Sequence, residues 1–181
     1  MPSQQQRWRP CAIGVFLIGA IVCGTPAKVA AQEREQSSFL GSVVKGVVLD
    51  PTTYAPAAIG YDATMRDWKT SQPLFQRGFM EHNPRFTVSG LPNDLPVDYE
   101  HGNHKILMDA FATLQISLVN NIADRVIERS LIERYPNHRK LVRTLNWIER
   151  AAFASSMAYI LSEAHYRQSH ANEQLARQMG Y

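Results

Sequence analysis

Apolar positions in this chain recur at helical spacing rather than in the alternation of a strand. Phe39, Val43 and Val47 stand four apart with Leu40, Val44 and Val48 beside them, which gives a short amino-terminal helix one apolar face. Asp50-Pro51 ends it, because proline pushes the residue before it out of helical geometry. Asp50 is then the cap of a turn that Pro51 opens. Ala55 to Thr70 is only weakly patterned and predicts at most a short helix.

The period is lost from Ser71 to Asn103, where Pro73, Gly78, Pro84, Gly90, Pro92, Pro96 and Gly102 leave room for one or two helical turns. Connections this long are functional or ordered by packing. Phe75, Phe79, Phe86 and Tyr99 supply the means to pack, and the apolar content is too high for a solvated tail. The segment is therefore expected to be an ordered arm laid over the helices.

Two long helices are predicted to follow. The first runs from an Asn103 cap to Tyr135, where Pro136 stops it. Leu107, Phe111, Leu114, Leu118 and Ile122 form its stripe, after which Val126, Ile127 and Leu131 carry the stripe on a rotated face, so a bend or change of partner is expected near Asn120. The second starts after Asn137 and continues to about Met179. These patterns predict an all-α protein: a long helical hairpin plus a short N-terminal helix and a Pro/Gly-rich aromatic arm. Residues 32–104 hold the short helix and arm, and residues 105–181 hold the hairpin of the same domain.

The amino terminus changes the picture by giving the chain an address. Arg7 and Arg9 precede the uncharged run Cys11 to Gly24, and Val-Ala-Ala closes at Ala31. A basic start, a short apolar run and a small-residue exit predict a signal peptide over residues 1–31, cleaved before Gln32. The run is shorter than the roughly 20 residues of a straight span. Cleavage would remove Arg7, Arg9 and Lys28, three of the 19 Lys+Arg, and leave 16 against 16 Asp+Glu. A near-neutral mature chain gives no case for nucleic acid, which requires a surviving basic patch. Both cysteines, Cys11 and Cys23, leave too, and none of the asparagines opens an N-x-Ser/Thr site. Such a chain is expected in a bacterial periplasm or cell envelope.

Candidate chemistry is sparse. His82, His101, His104 and Asp109 offer three imidazoles and a carboxylate, donors that suit zinc in tetrahedral geometry. H-x-x-H alone has little specificity, and exposed or capping histidines explain the same residues. His165 and His170 sit beside Tyr166, and His170 with Glu173, three apart on the same helix, reads as a surface contact. Asp94 and Asp98 do not match an EF-hand loop. No nucleophile elbow or phosphate loop occurs, and no cofactor is indicated.

The most specific pattern is a face of small residues: Ala151, Ala152, Ala154, Ser155, Ser156 and Ala158. Small residues four apart let two helix backbones approach closely, in lipid or in water. Seven basic residues between 124 and 150 would place the hairpin's turn on the cytoplasmic side if it crossed a membrane. Length opposes that, since only Ala151 to Ser162 is uncharged between Arg150 and Glu163. Patterning therefore favours a water-soluble or peripherally attached body, with 106–136 buried against 141–166 and Asp109 near the helix's wet amino end. The expected role is structural or binding, toward an unidentified protein or membrane partner. A small integral-membrane hairpin is the alternative, with 106–123 and 147–164 embedded, and a metal-dependent enzyme comes third.

Overall fold

The computed structural model describes Phe39 and residues 41–180, so the leader and its cleavage site lie outside the described residues. The chain is all-α: among the described residues no strand forms, only two isolated bridges. Helix α1 covers 41–48 and ends at Asp50, whose carboxylate accepts from Thr52 N at 3.1 Å and so caps the 3-10 turn Pro51–Thr53. Helix α2 then runs Ala55–Phe75, α3 runs Tyr99–Arg134 and α4 runs Arg139–Gln178.

At 21 residues, α2 is longer than the sequence pattern predicts. Pro56 sits in its first turn, where no N–H is required, and Pro73 sits in its last turn, where its missing N–H removes one backbone bond without ending the helix. Helix α3 starts before the expected Asn103 cap. Asp98 is in extended geometry and its carboxylate accepts from His101 N at 2.8 Å. The second boundary falls where Pro136 requires it, and the 3-10 turn Pro136–His138 leads directly into α4.

Cross-helix bonds fix the directions. Asn121 meets Thr53 and Trp68 meets Tyr99, so α2 and α3 are antiparallel. Asp67 meets His165 and Ser71 meets Asn172, so α2 and α4 are parallel. Helix α2 packs more extensively on α4 than α3 does. Helices α3 and α4 follow one another directly through the Pro136–His138 turn, and α2 packs against both. Gly60 makes this approach close: a Cβ there would lie 3.2 Å from Leu161 Cβ.

The apolar core gathers at one end. Trp68, Phe86 and Ile106 are buried, with Met65, Phe75 and Val97 packed against them. Trp68 stacks on Phe86 at 5.4 Å between ring centroids. Phe86 and Val97 belong to the arm, 76–98, which is pinned by Val97 N donating to Phe86 O at 2.8 Å and by Lys105 Nζ donating to Arg85 O at 2.8 Å. Gly102 packs against the Trp68 ring, and a Cβ there would overlap it.

Candidate functional site

Helix α3 buries the residues that water usually keeps. Thr113, Ser117, Asn121, Asp124 and Glu128 face inward, while Leu107, Met108, Phe111, Ile116, Val119 and Ile127 are exposed, Val119 at 65%. The expected apolar stripe lies beside this buried one: Leu114, Leu118 and Ile122 are half-buried, and Leu107 and Phe111 are outside. The expectation that 106–136 is buried in an interior is thus corrected. Helix α4 repeats the inversion, with Asn146, Arg150, Ala154, Ala158, Ser162, Ser169 and Asn172 inside. Leu141, Leu145, Trp147, Ile148, Tyr159 and Ile160 are exposed. Exposed apolar surface on this scale marks contact with a partner or lipid.

Arg150 organises the interior. Its side chain is 3% exposed; Nη1 donates to Asp124 and, at 3.1 Å, to Glu128, both on α3. Its Nε lies 3.1 Å from Asp50 Oδ2 as an ion pair, and Arg125 Nη2 reaches the same oxygen at 2.9 Å. Burial would raise the Asp50 carboxyl, but hydrogen bonds from Thr52 and the two guanidiniums hold it below the usual carboxylate range. Glu149, sharing a hydrogen bond with Asp124, is pushed up by that bond, by burial and by the neighbouring charge. Nearby, Asn121 Nδ2 donates to Thr53 Oγ1 at 2.7 Å and to Thr52 Oγ1 at 3.0 Å. Together these contacts tie the α1 cap, α3 and α4 into one polar lane.

Two of the clefts among the described residues bear on function. One, of about 500 Å³, lies between α2, α4 and the arm. Trp68, Leu74, Phe75 and Phe86 give it apolar walls, and Asp67, Ser71, His165 and Asn172 bring polar groups to it. The Nδ1 of His165 lies 2.7 Å from Asp67 Oδ2, and Asn172 Nδ2 donates to Asp67 Oδ1 at 3.2 Å and to Ser71 Oγ at 2.9 Å. The other, of about 370 Å³, sits at the hairpin tip and is lined by Arg125, Arg129, Arg139 and Arg143 with Glu128 and Glu133.

The four metal candidates do not come together. His82 bonds Asn93, and His101 and His104 are exposed. Asp109 accepts from Arg85 Nε and Nη2, so it anchors the arm and does not act at the helix start. Among the described residues no group of three His, Cys, Asp or Glu is placed to hold a metal ion. Of the small residues, Ala154 and Ala158 are buried, Ala151 is half-buried, and Ala152, Ser155 and Ser156 are exposed. His165 pairs with Asp67, 98 positions away. No local spacing could have signalled that pair. The inward polar row of α3, by contrast, is written in the sequence at helical spacing and was hidden by the assumption that apolar residues face inward.

Comparison with protein-family models, with curated proteins and with solved structures gives no match.

Proposed function

We propose that this is an exported envelope protein that acts by binding rather than by catalysis, and that it lays the outer face of α3 against the membrane. Export rests on the leader, with its basic start and Val-Ala-Ala exit. Membrane contact rests on one observation above the others: α3 turns Thr113, Ser117, Asn121, Asp124 and Glu128 inward and leaves its large apolar side chains outside. Ionisable residues of helices in lipid face the bundle interior and pair there, as Asp124 and Glu128 do with Arg150. Arg139 and Arg143, exposed at the tip cleft, fit anionic headgroups, each worth about 1 kcal/mol near such a surface.

The integral alternative draws support from the same helix. An 18-residue window of α3 has mean hydropathy 1.3 and is 22% buried, so α3 has the length and composition to cross a membrane. Helix α4 does not match it, because exposed Arg143 and Glu149 interrupt its outer face. A surface-lying attachment accommodates both helices.

Flotation of the purified protein with vesicles separates these outcomes. Binding to vesicles containing phosphatidylglycerol, weaker binding to phosphatidylcholine alone, and release by alkaline carbonate are expected. Phe111→Glu with Val119→Glu should abolish flotation and preserve helicity. Failure to float with either vesicle removes the membrane reading, and resistance to carbonate replaces it with the integral one.

A further inference from the structure

No residue of α3 lines the cleft under the arm, and its lining is specific enough to name a ligand class. Its floor is α2, its wall is α4 and its roof is the arm. Trp68, Phe86 and Leu74 are buried beneath it, whereas Phe79 and Met80, which also line it, are 44% and 54% exposed. Large apolar side chains at the mouth of an apolar cleft are surface that a bound molecule would cover. A volume of about 500 Å³ matches a small organic ligand.

Its polar groups are arranged around one acceptor. Asp67 engages His165 Nδ1 at 2.7 Å, which in the neutral ring fixes the proton on that nitrogen and leaves Nε2 with its lone pair. Nε2 has no protein partner among the described residues, and the ring is 30% exposed. Asp67 is itself held by Asn172, whose Oδ1 accepts from Gln168 Nε2 at 2.9 Å. The imidazole is thus oriented from behind by a chain of bonds crossing between α2 and α4. Charge narrows the ligand further. Asp67 and Glu81 line the cleft, and neither Lys nor Arg does, so an anionic head meets like charge with no counterion.

We infer that this cleft binds a small molecule with an apolar or aromatic body and one hydrogen-bond-donating head, an alcohol or an ammonium, which donates to His165 Nε2 while the body lies against Phe75 and Phe79. The aromatic side chains supply most of the contact, and the head sets orientation and excludes acids.

Benzyl alcohol, benzylamine and benzoate serve as probes, with binding followed by the His165 ring resonances and by titration calorimetry. The alcohol and the amine should shift those resonances and bind at least roughly tenfold more tightly than benzoate, the equivalent of one good hydrogen bond. His165→Leu should erase that preference. Because removing the imidazole also loosens Asp67, a second variant, Phe79→Ala, alters only an exposed side chain at the mouth and should weaken all three probes several-fold with unchanged melting. Benzoate binding as tightly as benzyl alcohol, a preference that survives His165→Leu, or no binding by any probe at millimolar concentration overturns the assignment. None of these outcomes bears on vesicle flotation.

Discussion

Arg150 shows what one residue does when it is buried among acids. Taking a guanidinium out of water costs several kcal/mol, and only closely placed partners offset that. Asp50, Asp124 and Glu128 provide them from two other parts of the chain. Arg150→Met keeps much of the volume and removes the charge, leaving Asp124 uncompensated, with Arg125 still beside Asp50 and Glu128. A loss of about 3 kcal/mol or more is expected in urea denaturation at neutral pH. The pH dependence identifies the cause. Asp50 is held below the usual range when folded, so the unfolded chain binds its proton first as pH falls. Its contribution is complete above the ordinary Asp value, about 4, and is lost as pH drops through the folded value. In Arg150→Met this acid loss should shrink, since part of what lowers Asp50 has gone. An unchanged acid limb would mean that Thr52 and Arg125 hold the carboxylate without Arg150.

At the scale of elements, the lesson is carried by α2 and the arm. Helix α4 was legible because Pro136 marks its start and nothing interrupts it before Met179. Helix α2 was underestimated because Ala55 to Thr70 is weakly patterned and Pro73 looks like a breaker, whereas Gly60 gives close approach to Leu161 and Pro73 falls in the last turn. Position 102 was misread for the same reason: its glycine was taken as loop punctuation. It lies in the first turn of α3, where only a missing side chain lets the Trp68 ring lie on the backbone and Nε1 donate to Tyr99 O at 3.3 Å. That contact joins α2, α3 and, through Phe86, the arm. Gly102→Ala should therefore destabilise despite alanine's better helix propensity, which would favour the variant by up to about 1 kcal/mol at an open site. Overpacking of about 1–3 kcal/mol should prevail, with a changed near-ultraviolet signal from displaced Trp68. A variant that melts higher would mean that Trp68 moves aside freely.

Over the whole molecule, the usual rule of substitution is reversed. In a protein that hides its apolar side chains, an inward polar residue changed to leucine stabilises if it fits, and an apolar residue changed to asparagine harms. Here Asn121, Asp124, Glu128, Arg150 and Asn172, all inward, are bonded across elements. Asn121 is 1% exposed and supplies hydrogen to Thr52 and Thr53, whose Oγ1 in turn donates to Val47 O at 2.8 Å. Asn121→Leu removes the bonds to the buried Thr53 and half-buried Thr52 hydroxyls and adds a branched side chain in a lane of serine, threonine and alanine. A cost of about 2–4 kcal/mol is expected, the sum of lost bonds and overpacking. Two residues earlier Val119 has the opposite surroundings, being 65% exposed. Val119→Asn should change the stability of the detergent-free protein by no more than about 0.5 kcal/mol, as other surface substitutions do. It should also raise solubility. The pair forms a direct comparison on one helix turn, read by urea denaturation of both variants at one protein concentration. If Val119→Asn is as damaging as Asn121→Leu, then α3's outer face is already covered in solution by a second copy of the chain, which a concentration-dependent midpoint would reveal. If Asn121→Leu stabilises, the polar lane is dispensable to the fold and the inversion of α3 loses its structural basis.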